Sequence, residues 1–425
     1  MKDFYLKPKF SETIKGYSKD QLVKDVVAGL IVAIIALPLS IALALASGVE
    51  PACGVYTAIF AGFIVALLGG STVQIAGPTA AFATVVAGIV ATKGMSGLII
   101  ATLMSGIILI LMGVLKLGSL IKYVPKTITV GFTAGIAVTI FIGQIKDFLG
   151  LVYVDGAKPI EAIEKIEANI HNISSFNWQS LVIGIICLAI LIVYPKFEKR
   201  VPPSLIAVIV GALLVNLIPL FNKGTYTIGE LYTIPQGFPK LTLGSVKFDI
   251  DTVISLIPNA FTIAILAGIE SLLSCVVADG MINSKHNPNS ELVAQGIGNM
   301  ASVAFGGIPA TGAIARTAAN IKNGGRTPVA GMVHAIVLLL VVLFLIPYAS
   351  LIPMPTIAAI LFIVAYNMSE WRSFLKIVKQ KNFTDILVMV LTFALTVIFD
   401  LVVAIIVGLA LHFAIVLLKK LGKKA

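Results

Sequence analysis

Residues 305–321 read Phe-Gly-Gly-Ile-Pro-Ala-Thr-Gly-Ala-Ile-Ala-Arg-Thr-Ala-Ala-Asn-Ile. Gly306, Gly307 and Pro309 do not sit comfortably in a regular helix: glycine loses the most backbone entropy there, and proline has no N–H to donate. The residues after Pro309 are small and helix-compatible, so the stretch predicts an extended segment feeding a helix that begins near Thr311. A helix that starts in mid-membrane turns unpaired N–H groups, and about half a positive charge, toward whatever lies in front of it. Arg316 adds a full charge one turn on. Irregular backbone at membrane depth is tolerated only where it is buried in protein or lines a cavity. The stretch therefore predicts an anion site, and the rest of the chain its housing.

The membrane setting follows from composition. The 425 residues are 58% hydrophobic and 12% charged, against about 25% charged in soluble domains, and mean hydropathy is +1.03. Many apolar runs approach the ~20 residues needed to cross the hydrocarbon. The first begins near Val26, behind a polar arm of residues 1–25, too late and too long for a cleaved signal peptide. A net charge of +11 is read as basic loops facing anionic lipid, with no nucleic-acid partner. Cys53, Cys187 and Cys275 lie alone in apolar segments and read as packing residues, with no metal site. No phosphate-cradling Gly-Lys-Ser/Thr loop and no Ser/His/Asp or Cys/His arrangement is present, so the chain reads neither as an ATP-driven pump nor as an enzyme, and no cofactor is expected.

Fourteen spans are expected, at about 26–47 (interrupted by Pro38), 53–69, 79–90, 95–115, 127–149, 178–194, 203–220, 255–279, 289–305, 311–322, 328–347, 354–368, 383–398 and 400–418. Ile160, Ile163, Ile166 and Ile170 are spaced as an amphipathic surface helix. With a cytoplasmic N-terminus, loops after even-numbered spans should be basic. They hold Lys116, Lys122 and Lys126; Lys196, Lys199 and Arg200; Lys285; Lys322 and Arg326; Arg372, Lys376, Lys379 and Lys381; and the tail lysines 419, 420, 423 and 424. The outer interval 150–177 holds Asp155, Glu161, Glu164 and Glu167. Lys223, Lys240 and Lys247 depart from the pattern, in a longer connection where the rule weakens. Both termini are thus expected on the cytoplasmic side.

The two halves repeat. Ala28–Val49 lies over Ala260–Met281 at an offset of 232, pairing Pro38 with Glu270 and Gly48 with Gly280. Pro78, in Val73-Gln74-Ile75-Ala76-Gly77-Pro78-Thr79, precedes Pro309 by 231. Seven spans per half make the copies inverted, so two half-helices are expected to meet N-terminus to N-terminus at mid-membrane, the usual place of a transporter's central site. The boundaries are an arm at 1–25, a first repeat at 26–220, a connection at 221–251 and a second repeat at 252–425.

Glu270, inside an apolar span, reads as a coupling residue for a proton or Na⁺, or else as a salt-bridge partner of Arg316. Ser274 shares its helix face. Arg316 suits a planar oxyanion because it presents a fork of donors, or else it snorkels to the cytoplasm. Thr79 and Thr311 are candidate oxyanion ligands at the two helix starts. Ser40 and Gln74 are weaker, Gln74 as a partner for backbone groups of the extended segment. Asp279, Glu291, Asn299 and His334 read as interfacial or helix-packing polar groups.

Five stretches carry a resemblance: Ala-Gly-Leu-Ile-Val-Ala-Ile-Ile-Ala-Leu-Pro-Leu-Ser (28–40), Gly-Gly-Ser…Ala-Gly-Pro-Thr-Ala-Ala (69–81), Ile-Glu-Ser-Leu-Leu-Ser…Val-Ala-Asp-Gly (269–280), Asn-Ser-Glu-Leu-Val-Ala-Gln-Gly-Ile-Gly-Asn (289–299) and residues 305–317. Together they resemble the SulP/SLC26 anion transporters over nearly the whole chain. The resemblance implies an all-α polytopic membrane protein with 7+7 inverted repeats and UraA-like core (spans 1–4 and 8–11) and gate (spans 5–7 and 12–14) domains. It also implies elevator-like alternating access and a homodimer in a bacterial inner membrane. It places the anion pocket on Leu39, Leu43, Thr79, Ala315 and Arg316, and the coupling ion on Glu270 and Ser274. Na⁺-coupled members carry an aspartate where this chain has Glu270, which favours H⁺. Members usually continue into a cytoplasmic STAS domain, whereas this sequence stops at Lys-Lys-Leu-Gly-Lys-Lys-Ala. The expected function is secondary transport of sulfate, bicarbonate or a C4-dicarboxylate by H⁺ symport. A passive channel, an exchanger and a nucleobase transporter of the same fold are the alternatives.

Overall fold

The computed structural model describes residues 7–119, 125–154, 159–198, 201–246, 248–398, 403–404, 407–412 and 414–415. The span expected over 400–418 lies partly outside them, and the tail lysines 419, 420, 423 and 424, Lys2, Lys122, Asp155, Lys199, Arg200 and Lys247 lie outside. The main helices are α1 (Lys19–Ala46), α2 (Pro51–Leu68), α3 (Ala83–Val114), α4 (Lys126–Leu149), α5 (Trp178–Val193), α6 (Pro203–Leu217), α7 (Ile257–Ile282), α8 (Pro288–Ala304), α9 (Ile314–Lys322), α10 (Pro328–Phe344), α11 (Met354–Met368) and α12 (Phe383–Ile398). Among the described residues, six helical stretches are long and apolar enough to cross a membrane. α3 covers two expected spans, broken at Gly94, where φ 67° and ψ −175° leave the helical region.

Two expectations change at the N-terminus. α1 runs unbroken through Pro38, because a membrane helix tolerates the one lost ladder bond. It also starts at Lys19, inside the arm expected to end at residue 25, and carries Asp25 fully buried. Asp25 accepts hydrogen bonds from Tyr17 Oη (2.8 Å), Gln21 Nε2 (3.0 Å), Arg326 N (2.8 Å) and Thr327 Oγ1 (2.6 Å). The arm is therefore tied to the loop behind α9.

The helix expected around 160–170 forms over Ala162–His171, opened by a reciprocal Glu161/Glu164 cap. The backbone N–H groups of Ile160 and Glu161 hold the Glu164 carboxyl below its ordinary range. Ile163, Ile166 and Ile170 are exposed on it. Exposed Ile209, Leu213 and Leu217 on α6, and Ile336, Leu340 and Phe344 on α10, recur every four residues and form apolar stripes suited to lipid.

The helices pack as two groups. α8 lies against α2 and α3, α10 against α1 and α2, and α7 against α3 and α9. In the second group α4 lies against α11 and α12, and α5 against α6 and α11. Contacts between the groups are sparse and run mainly through α1.

At the centre of the first group, β1 (Ala76–Gly77) pairs antiparallel with β2 (Thr311–Gly312), Ala76 facing Gly312 and Gly77 facing Thr311. The two interrupted segments therefore meet. Their helices start later than expected: α9 at Ile314 and α3 at Ala83, the latter after a 3₁₀ turn over Ala80–Phe82. The reason is the ladder, which the Ala313 N–H extends by donating to Ile75 O (2.8 Å). Amides that a helix would have left unpaired are satisfied across the pair.

Candidate anion site

Each extended segment is held by side chains from distant elements. Thr57 of α2 accepts the Ile308 N–H (2.7 Å), and Ser302 donates to Ile308 O (2.7 Å). Asn299 of α8 clamps Ala310 twice, accepting from its N–H (2.8 Å) and donating to its carbonyl (2.9 Å). On the other side, Thr317 of α9 accepts the Ile75 N–H (3.0 Å) and Asn320 donates to Val73 O (2.9 Å). The backbone of 73–75 is thus satisfied by α9 and not by Gln74. Gln74 instead donates to Glu291 (2.8 Å) and Ser271 (2.7 Å). Glu291 also accepts from the Gly70 N–H (2.9 Å) and from Ser271 (3.1 Å). That carboxylate binds α8, α7 and the β1 segment together, a packing role consistent with its reading from sequence.

Arg316 sits in the first turn of α9, 1% exposed. Its Nη2 donates to Pro78 O at 3.3 Å, while Nε and Nη1 have no partner among the described residues. The next residue, Thr79, donates its hydroxyl to Glu270 Oε2 (3.0 Å). Arg316 of α9 and Glu270 of α7 therefore flank the Pro78-Thr79 dipeptide, which belongs to the other half of the sequence. They form no ion pair among the described residues, so the salt-bridge reading of Glu270 fails. Burial also removes the snorkelling alternative for Arg316. Glu270 and Leu39 are half-buried, Leu43 is buried, and Ala315 is exposed on the first turn of α9.

Two candidates point elsewhere. Thr311 is in β2 and donates to Ala267 O (2.9 Å). Ser274 is buried and donates to Thr317 Oγ1 (3.4 Å), joining α7 to α9. Both hydroxyls tie the segment to the helices behind it. Sequence reasoning missed the Pro78 carbonyl as the anchor of Arg316, and a backbone acceptor leaves no signal in residue identity. It also missed Thr57 and Asn320, whose only signal is a polar residue among apolar neighbours.

A cavity of 650 Å³ opens between the two helix groups. Ala83, Thr84 and Ala87 of α3 line one wall, and Thr139, Gln144 and Lys146 of α4 face them. It reaches Ala83, the first residue of α3.

Gly77 fits this arrangement through its missing side chain. A Cβ there would stand 2.5 Å from Arg316 Nη1. Gly77→Ala is expected to push the guanidinium aside and weaken anion affinity about tenfold, the cost of losing one charge-assisted hydrogen bond. Equilibrium binding of sulfate and bicarbonate to the purified variant checks this, and unchanged binding of both would place Arg316 away from the ligand.

A helical membrane protein with two broken segments paired at its centre, and a buried guanidinium half free of partners beside them, has the build of a membrane transporter for anions. The profile of the sulfate permease family matches residues 22–392, and the chain belongs to that family, whose members are transporters and not enzymes. YvdB of Bacillus subtilis strain 168 is 45% identical over 410 residues, covering 95% of this chain and 75% of YvdB. The bicarbonate transporter BicA of Picosynechococcus is 33% identical, with 90% and 68% covered. The solved transmembrane domain of a cyanobacterial BicA superposes with a TM-score of 0.78 at 31% identity, over 91% of this chain and 97% of that domain.

Proposed function

We propose that the chain is a secondary active transporter of a small oxyanion, sulfate or bicarbonate first and a C4-dicarboxylate next, driven by proton symport. Arg316 is the anion ligand and Glu270 the coupling group. The observation that carries this reading is Arg316 itself: a buried cation with two unpaired donor nitrogens, across one dipeptide from a carboxylate it does not bond. A buried charge stays unpaired at a cost of several kcal/mol, and an incoming oxyanion removes that cost. Leu39, Leu43, Ala315 and the Thr79 backbone complete the pocket, and a neutral nucleobase has no use for the guanidinium.

The architecture supports an inverted 7+7 repeat with fourteen spans. α1, α2, β1 and α3 recur in order as α7, α8, β2, and α9 with α10, and a two-fold axis between the copies brings β1 and β2 together antiparallel. The first helix group is the core and the second the gate, and their sparse contacts suit an elevator in which the core slides past the gate. Both termini are placed in the cytoplasm, the protein in the bacterial inner membrane and the assembly as a homodimer. Ser274 supports the coupling site only through its bond to Thr317.

Uptake of labelled sulfate, bicarbonate and fumarate into proteoliposomes, with and without an inward proton gradient, tests the reading. Saturable, gradient-driven uptake of one anion is expected. Gradient-independent flux of several anions would replace symport with a channel or an exchanger.

A further inference from the structure

His334 of α10 is fully buried, and neither ring nitrogen has a hydrogen-bond partner among the described residues. A neutral imidazole carries one N–H donor and one bare acceptor nitrogen, so both needs go unmet here. Leaving a buried polar group unsatisfied costs about 1–3 kcal/mol, and an aliphatic residue at this position would avoid the cost. A packing role therefore does not account for a histidine here.

Its surroundings place it beside the anion site. Gly62 of α2 faces both Ala76 O and His334: a Cβ there would lie 3.2 Å from the former and 3.7 Å from His334 Nδ1. One turn earlier on the same face, Ala58 faces Gly77, whose own Cβ would meet Arg316 Nη1. Gly331, on the face of α10 that carries His334, packs on Gln74 O and Ile75. Consecutive residues of β1 thus carry His334 Nδ1 and Arg316 Nη1 along a single stripe of α2. Residues four apart on a helix are separated by about 6 Å along its axis, so Gly62 and Ala58 set the two nitrogens one helical turn apart beside α2. A single water, bonded at about 2.8 Å on each side, bridges polar atoms about 5–6 Å apart. Gly62 leaves the space beside His334 Nδ1 free of a side chain, and buried waters occupy sites with two or more unsatisfied polar partners.

We propose that His334 is a positioning residue for Arg316, joined to the unpaired Nη1 by one buried water that fixes the guanidinium toward the anion. The inference rests on the assignment of Arg316 as the anion ligand. His334 never touches the anion. It sets the angle of the group that does, as an outer partner orients a ligand in other charged sites.

The test combines single and double variants, with sulfate and bicarbonate as probes in proteoliposome uptake and in equilibrium binding. His334→Phe fills the space without a polar atom and is expected to raise KM and Kd about tenfold, with Vmax nearly unchanged. His334→Asn, which presents a polar atom near the position of Nδ1, should recover most of the affinity. Gly62→Ala leaves both residues in place but fills the water's space, and should weaken binding in the same direction. In an Arg316→Ala background His334→Phe should add nothing, because the group it positions is gone. An additive penalty in the double variant overturns the proposal, as does loss of binding in Arg316→Ala with none in His334→Phe. If Arg316→Ala itself binds both anions normally, the site assignment falls and the positioning role with it. An unchanged melting temperature in His334→Phe separates a binding effect from a folding effect.

Discussion

Replacing Arg316 by alanine is expected to weaken anion binding by tenfold to a hundredfold while leaving the fold intact. The two halves of this expectation come from the same geometry. Arg316 makes one hydrogen bond, at 3.3 Å, to Pro78 O, and its Nε and Nη1 bond to nothing. Folding therefore gains little from the side chain, and removing a poorly paired buried cation does not destabilise the protein. Binding should gain much, because donors on two unpaired nitrogens in a buried site would form charge-assisted bonds worth about 1.5–3 kcal/mol each. One such bond is a factor of about ten or more in affinity. Arg316→Lys should recover part of the loss, since the charge remains while the planar fork does not. Isothermal titration with sulfate and with bicarbonate, beside thermal melting of each variant, checks both halves. Normal affinity would remove Arg316 from the site. A collapsed melting temperature would make it a structural residue instead.

Glu270→Gln is expected to separate binding from accumulation. The amide is nearly isosteric and still accepts the Thr79 hydroxyl that Glu270 Oε2 accepts at 3.0 Å. It cannot gain or lose a proton. Binding and anion-for-anion counterflow should stay within about threefold of the parent, while gradient-driven accumulation disappears. Each pH unit of gradient supports at most about tenfold accumulation per proton carried, since 1.4 kcal/mol is a factor of ten. A one-unit gradient therefore gives a readable difference. The sign is fixed by direction: an inward proton gradient should raise uptake in the parent and leave the variant unmoved. Accumulation that survives in Glu270→Gln would give Glu270 a structural role and send the search for the coupling group elsewhere.

The glycine and proline breaks at 69–78 and 306–309 were legible because helix breaking acts over one or two residues. The helix starts were misplaced by three or four residues, to Ile314 and Ala83, because the two-residue ladder between β1 and β2 competes for the same N–H groups. That ladder joins residues more than two hundred positions apart, and local propensity carries no record of it. Thr311 illustrates the limit. Its position beside a break suggested a ligand, but its hydroxyl faces Ala267 O, since a strand residue's side chain follows the pleat and not the helix axis.

The sequence by itself determined that this is a helical membrane protein, that glycine and proline break it near Pro78 and again near Pro309, and that Glu270 and Arg316 lie within apolar runs. Hydropathy, charge bias and backbone breaking are short-range properties, and they survive in the order of residues. Only the tertiary structure decided what the polar groups do. It set Glu270 against Thr79 across 191 positions and Arg316 against Pro78 across 238. It gave Ser274, Gln74 and Glu291 packing partners, and left Arg316 and His334 with unpaired nitrogens along one face of α2. Hydrogen-bond satisfaction inside a membrane is a property of the folded neighbourhood, because no water is present to meet the demand otherwise. The site is therefore recognised by which buried groups still lack a partner.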